Sequence, residues 1–246
     1  MQDPRSVVFV HKQVLTAGFV SDRTINLNSK KTYLSLKRVF DVLFSVLIIL
    51  FIFSWFYPII AILIKLDSKG PVFFKQRRVG LHGQIFNCFK FRSMYLNNES
   101  DRKQCTVDDP RITRVGKILR LLCLDELPQF FNVLKGDMTL VGPRPHMISD
   151  CEKFRKEVSD YHIRHIVKPG ITGIAQVKGC RGETHGFLDI YHRFQWDMFY
   201  IRNANFKFDL LILHKTIVQS LRPMLKLLRY KVRPSETYHR IASWKN

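Results

Sequence analysis

Val42-Leu-Phe-Ser-Val-Leu-Ile-Ile-Leu-Phe-Ile-Phe-Ser-Trp-Phe-Tyr-Pro-Ile-Ile-Ala-Ile-Leu-Ile64 decides how the rest of the chain is organised. No charged side chain interrupts it. As a straight helix it would extend roughly 34 Å at ~1.5 Å per residue, enough to cross a hydrocarbon layer of ~30 Å. Two features argue against a simple span. Pro58 lies inside the run, where it lacks a backbone donor, clashes with the preceding turn and kinks a helix. Ser54, one turn earlier, can satisfy a carbonyl through its hydroxyl. Basic residues also flank both ends: Met1 to Arg38 holds seven Lys/Arg against two Asp, and Lys65 to Gln104 nine against three Asp/Glu. Positive charge beside a membrane segment marks the cytoplasmic side. A hairpin entering and leaving through one leaflet satisfies both flanks, and a span satisfies only one. Physics alone leaves the hairpin and a kinked span level.

The 246 residues suit one anchored catalytic domain or two small ones, and 46% hydrophobic content is enough for a core. Forty Lys+Arg against twenty Asp+Glu give a charge of +20. Such an excess calls for an acidic partner: nucleic acid, anionic lipid or a phosphorylated substrate. The apolar run favours the last two. The five cysteines stand singly, with no Cys-x-x-Cys pair, which argues against a disulfide framework or zinc site and for a reducing compartment. The apolar run starts too late, and is too long, for an ordinary signal peptide.

Outward from the apolar run, Lys37 and Arg38 are spaced for a local ion pair with Asp41. Met1 to Ser35 is weakly patterned, with Ser6 to Val10 as a short strand. On the other side, Val72 to Gly80 and Gln84 to Arg92 read as a β-hairpin turning at Leu81-His-Gly83, with Lys90 and Arg92 on a basic face. Arg111, Arg114, Lys117 and Arg120 fall three apart, as a phosphate-neutralising stripe or a solvated helix face. Leu124-Asp-Glu-Leu-Pro-Gln129 reads as a helix start with Asp125 as N-cap, and Gly136 closes that helix. The two carboxylates are either helix-start residues only, or a nucleophile and a partner able to hold Mg²⁺ with substrate phosphates. In Pro143-Arg-Pro145, Arg144 must be extended, presented from a stiff loop for bidentate anion contact or simply turning at the surface. Ser149 to Ile166 reads as helical. Lys168 to Gln176 reads as a tight glycine loop before a short strand, and Gly179 to Thr184 as another loop carrying Arg181 and Glu183. Phe187 to Asn203 and Phe208 to Leu221 read as helices, the second ended by Pro223. The tail has seven Lys/Arg against one Glu and suits an anionic membrane surface.

Several ordered motifs resemble the bacterial sugar transferases, the monotopic phosphoglycosyl transferases. They are Lys37-Arg-Val-Phe-Asp41, Asp67-Ser-Lys-Gly-Pro-Val-Phe-Phe-Lys-Gln76, Lys90-Phe-Arg-Ser-Met94, Arg111-Ile-Thr-Arg-Val-Gly116, Leu124-Asp-Glu-Leu-Pro-Gln129, Asn132-Val-Leu-Lys-Gly-Asp-Met-Thr-Leu-Val-Gly-Pro-Arg-Pro145, and Pro169-Gly-Ile-Thr-Gly173 with Gln176. The resemblance implies a mixed, largely helical α/β domain on the cytoplasmic face of the bacterial inner membrane, with a small β-hairpin and one re-entrant helix broken near Ser54 and Pro58. It implies transfer of a sugar 1-phosphate from a UDP-sugar to undecaprenyl phosphate, with Asp125 as nucleophile, Glu126 assisting, and Mg²⁺ or Mn²⁺ held by both. Lys90, Arg92, Arg111, Arg114, Arg120, Arg144, Gln176 and Arg181 are the expected substrate-binding residues. Anionic lipid is a further expected partner, and nucleic acid is not. The expected division is 1–35 as an extension, 36–66 as the membrane helix, 67–221 as the catalytic domain and 222–246 as a basic tail. Tyr57 before Pro58, Leu122-Cys123 before the dyad, and Asn203-Ala-Asn205 depart from the family pattern. The rival reading is a membrane-tethered polyanion binder without catalysis.

Overall fold

The long apolar helix begins at Lys31 and runs to Asp67 without stopping at its proline. The computed structural model describes residues 30–106, 108–180, 182–184 and 186–229. The strand expected at Ser6 to Val10, Arg181 and the end of the basic tail lie outside them. The helix has two α-helical arms, α1 (Lys31–Ile48) and α2 (Ser54–Asp67), joined by a wide π-type turn over Ile49–Phe53. This turn shifts the register, so the Ser54 amide reaches back to Ile49 rather than Leu50. The Ser54 hydroxyl takes the Leu50 carbonyl at 2.6 Å, and Trp55 Nε1 takes that of Phe51 at 2.7 Å. The break expected at Pro58 is thus a widened turn just before it, and Ser54 has the back-bonding role expected of it. Only 17% of the most apolar eighteen-residue window is buried. Leu43, Leu47, Leu50, Phe51, Trp55, Ile59, Ile62 and Leu66 are exposed, unlike a core helix.

Both arms dock on one domain. On α1, Lys37 donates to Asp209 at 2.7 Å, and Asp41 accepts from Thr139 Oγ1 (2.5 Å) and the Leu140 amide (3.1 Å). Arg38 donates to the carbonyls of Val133 and Leu134. The local Lys37/Arg38–Asp41 pairing read from spacing is therefore replaced by contacts across the fold. On α2, Ile60 and Ile64 join Phe53, Phe91 and Leu119 in a small core against which Tyr57, Phe73, Leu124, Leu127 and Phe131 pack. Asp67 closes the arm by accepting the Val115 amide at 2.8 Å.

The hairpin forms where alternation put it: β1 (Phe73–Val79) pairs antiparallel with β2 (Ile85–Phe91), Phe73 opposite Phe91 and Val79 opposite Ile85. α3 (Arg114–Leu121) is capped by Thr113, whose hydroxyl takes the Gly116 amide at 2.9 Å. A Cβ on Gly116 would lie 2.0 Å from the Ser93 carbonyl oxygen, so glycine lets α3 lie against that segment. A short 3-10 turn, Leu124–Glu126, precedes α4 (Gln129–Lys135). Asp125 is therefore in a separate turn and is not the N-cap; Pro128 holds that position. Gly136, at φ +88, closes α4 as expected.

β3 (Thr139–Val141) pairs parallel with β4 (Gly170–Thr172). A Cβ on Gly170 would meet the Gly142 nitrogen at 2.1 Å. The glycines of the Lys168 to Gln176 segment thus serve backbone packing, and a helical turn α6 (Ile174–Val177) follows β4. α5 (Ile148–Glu157) ends at extended Val158, and 3-10 turns replace the helix expected to Ile166. α7 (Phe187–Asn203) has the bounds read from sequence. α8 (Phe206–Arg229) passes through Pro223, which does not end it. The main core, including Val133, Met138, Phe154, Tyr161, Phe194 and Ile212, lies between β3, α4, α5, α7 and α8.

Candidate active site

The hairpin supplies one wall of the site. In its register Phe74, Gln76 and Arg78 share a face with Lys90 and Cys88, opposite the face of Phe73 and Phe91. Asn132 on α4 fixes the height of this wall: its side chain accepts the Phe89 amide at 2.8 Å and donates to the Asn87 carbonyl at 2.7 Å, extending β2's pairing. Lys90 is thereby held over the turn before α4.

That turn is sharply made. Cys123 has φ +57, a left-handed conformation that costs a non-glycine residue about 1–2 kcal/mol. Leu124 and Leu127 then pack into the Phe53–Phe91 core. Between them, Asp125 lines a cleft of about 230 Å³ together with Lys90, Arg120 and Arg144.

The two neighbouring carboxylates have different surroundings. Glu126 takes both arms of the Arg144 fork, Nη1 at 3.1 Å on Oε2 and Nη2 on Oε1, and Lys90 Nζ at 3.2 Å. Burial opposes its charge, but the guanidinium and the ammonium prevail and hold Glu126 well below the usual carboxylate range. Asp125 is 7% exposed and takes no hydrogen bond from a side chain among the described residues. Burial pushes its pKa up, against the pull of Lys90, Arg120 and Arg144. Glu126 is a fixed anion that organises two cations, and the Asp125 carboxylate beside it feels the same cations without a side-chain hydrogen bond among the described residues.

The expected substrate-binding residues divide. Lys90, Arg120 and Arg144 meet at the cleft, Arg120 steadied by the Ser93 hydroxyl at 3.2 Å. Arg92 also touches it, but its guanidinium is spent on the carbonyls of Ser68, Lys69 and Gly70, closing the end of α2. Arg111 is tied to Asp109 at 2.6 Å, and Arg114 is exposed at the start of α3. Gln176 lies buried in α6, donating to the Ile171 carbonyl. None of these three lines the cleft. Gln76, Arg78, Gln104, His146 and Asp150 do, and were not picked out from sequence. The hairpin alternation that selected Lys90 also puts Gln76 and Arg78 on its face, and was the usable signal.

Among the described residues no cluster of three or more His, Cys, Asp or Glu could cage a metal. The unengaged Asp125 carboxylate, with Glu126 beside it, still suits Mg²⁺, which takes one or two carboxylates together with substrate phosphates and water.

One domain thus holds an apolar helix docked at both arms and a cleft where Asp125 is ringed by cations. A family model for bacterial sugar transferases matches residues 32–223, and the chain belongs to that family. It is 47% identical over 182 residues to the UDP-glucose:undecaprenyl-phosphate glucose-1-phosphate transferase of Klebsiella pneumoniae, covering 74% of this chain and 39% of that protein. It is 46% identical over 190 residues to the UDP-N-acetylgalactosamine-undecaprenyl-phosphate N-acetylgalactosaminephosphotransferase of Aeromonas hydrophila, covering 75% and 43%. The exopolysaccharide production protein PSS of Rhizobium leguminosarum bv. phaseoli is 44% identical over 193 residues, covering 76% and 96%. The chain spans less than half of the first two proteins and nearly all of the third.

Proposed function

We propose that this protein transfers a sugar 1-phosphate from a UDP-sugar to undecaprenyl phosphate, with Asp125 as covalent nucleophile. The observation that carries the reading is the division within the dyad: a buried, unengaged Asp125 beside a Glu126 locked by Arg144 and Lys90. An oxygen of Asp125 attacks the phosphorus bonded to the sugar. The bridging P–O bond breaks and UMP leaves with the electron pair. A phosphate oxygen of the lipid then attacks the same phosphorus, and the bond to Asp125 breaks. Lys90, Arg120 and Arg144 neutralise the negative charge gathered around the transferred group. Mg²⁺, if bound by Asp125 and Glu126, would offset diphosphate charge and orient the leaving group. The polyanion-binding alternative gains nothing from carboxylates set among its cations.

We further propose that the apolar helix is re-entrant, holding the cleft at the cytoplasmic surface of the bacterial inner membrane. Support comes from both arms packing on the same domain while the apolar side faces outward. A spanning helix would carry one of these docked ends to the far side. Cysteines introduced before Lys37 and after Lys69 should be labelled from the same side; labelling from opposite sides would restore a span. For the chemistry, membranes are incubated with a panel of UDP-sugars and undecaprenyl phosphate, and UMP is measured. Asp125→Asn is expected to insert and fold but release no UMP, and full retention of release would remove the nucleophile.

A further inference from the structure

The cleft is lined by one buried arginine that the dyad does not account for. Arg193, on α7, is 9% exposed. Helical spacing offers it Asp197, one turn further on. That carboxylate is instead taken by Arg164, from Nε at 2.9 Å and Nη2 at 2.8 Å. Arg164 Nη2 also holds the Arg144 carbonyl at 2.7 Å. Arg193 thus loses its natural partner to the residue that positions Arg144.

Its guanidinium is barely engaged. Nη2 makes one long hydrogen bond, 3.4 Å, to the Gly182 carbonyl. Nε is buried without an acceptor, while Nη1 makes no hydrogen bond among the described residues and keeps open surface. The other arginines of the cleft are committed. Arg78 gives all three nitrogens to Gln76 Oε1 and the Pro145 carbonyl, Arg92 closes the end of α2, and Arg144 grips Glu126. Asp150, on which Arg193 also acts, takes Gln104 Nε2 at 2.7 Å. A buried guanidinium without an anion is costly. Its planar fork matches phosphate with two parallel bonds. An anionic ligand supplies what this side chain lacks.

Its neighbours say which phosphate. Lys90, Arg120 and Arg144 act on Asp125, so they surround the phosphorus it attacks. Arg193 has Arg144 as its charged neighbour in the cleft. Through Arg144 it adjoins the group around Asp125 without belonging to it. In-line displacement puts the leaving oxygen across the phosphorus from the nucleophile. The second phosphate of the donor therefore lies away from Asp125, beyond the cations that hold the first.

We propose that the Arg193 fork binds the phosphate that departs with uridine, beside the transferred phosphate held by Lys90, Arg120 and Arg144. The inference rests on the transferase reading above. Arg193→Gln removes the charge and the fork. It should lower kcat/KM for the active UDP-sugar and raise the Ki of UMP, each by about tenfold to a hundredfold, with kcat/KM for undecaprenyl phosphate unchanged. Arg193→Lys keeps the charge without the fork; it should show the same pattern at smaller size, and decides the matter if Arg193→Gln does not fold. An unchanged Ki for UMP would overturn the inference. An equal loss in kcat/KM for undecaprenyl phosphate would overturn it too, because Arg193 would then act by supporting Arg144. A wild-type protein that releases no UMP from any UDP-sugar would remove the transferase reading as well; an active wild type whose variants bind UMP normally would remove only this inference.

Discussion

The two arms of the long helix hold the same domain by different physics. α1 docks through directional contacts: Lys37 on Asp209, Asp41 on Thr139 and Leu140, Arg38 on two carbonyls of α4. The second arm docks through stacked rings, Phe53 at the end of the π-type turn and Tyr57 of α2 against Phe73 and Phe91 of the hairpin, with centroids 5.3 to 6.5 Å apart. The polar arm fixes orientation, because its hydrogen bonds are directional and several converge on Asp41, Arg38 and Asp209. The aromatic arm contributes buried area and also supports the turn that bears Asp125, since Leu124 and Leu127 share its core. Damage to α2 should therefore reach Asp125, and damage to α1 should mostly reach stability.

The largest effect is expected at Phe91, which is 1% exposed. Phe91→Ala should cost about 3–5 kcal/mol in urea unfolding in detergent and lower kcat as well. An unchanged kcat would break the link between the aromatic arm and the dyad. For the other arm, Asp209→Asn on α8 keeps the shape but weakens the bonds to Lys37, Tyr33 and Tyr200. The expected loss is about 1.5–3 kcal/mol, with UMP release per folded molecule unaltered; a parallel fall in kcat would erase the distinction between the arms.

The dyad gives a pH test. Burial raises Asp125, and Lys90 pulls it down. On the proposed role of Asp125 as nucleophile the carboxylate is the form that reacts, so activity should be present above the Asp125 pKa and be lost as pH falls through it. Lys90→Met should move this acid limb to higher pH; a limb moving downward would contradict the assigned electrostatics. The smallest effect is expected at Ser54. Ser54→Ala leaves the Leu50 carbonyl without its hydroxyl partner and should cost about 0.5–1.5 kcal/mol, read as a lower melting temperature in detergent.

Local features were legible in the sequence. Alternation around Leu81-His-Gly83 gave the hairpin, and Pro-Arg-Pro gave a stiff Arg144. Ser54 was marked by its place one turn before Pro58. Long-range pairing was not legible. Lys37 and Asp41 looked like partners because they are near in sequence, yet their partners lie 172 and 98 positions away. Arg92 looked like a phosphate ligand because strand spacing says nothing of the helix end it closes. Arg144 was expected to grip an anion with both arms, and the anion it grips is Glu126. Pro223 looked like a stop, yet the helix runs on through it to Arg229. Asp125 looked like an N-cap because the left-handed turn at Cys123, which sets it in its own 3-10 turn, has no glycine to announce it.

The central claim is that Asp125 carries the sugar phosphate, and it can be tested directly. The protein is incubated with an active UDP-sugar in the absence of lipid acceptor, quenched and analysed by peptide mass spectrometry alongside UMP release. The expected result is a sugar-phosphate adduct on the peptide containing Asp125, with one UMP released per adduct, cleared when undecaprenyl phosphate is added. UMP released only in the presence of lipid acceptor, with no adduct at any time, would contradict it.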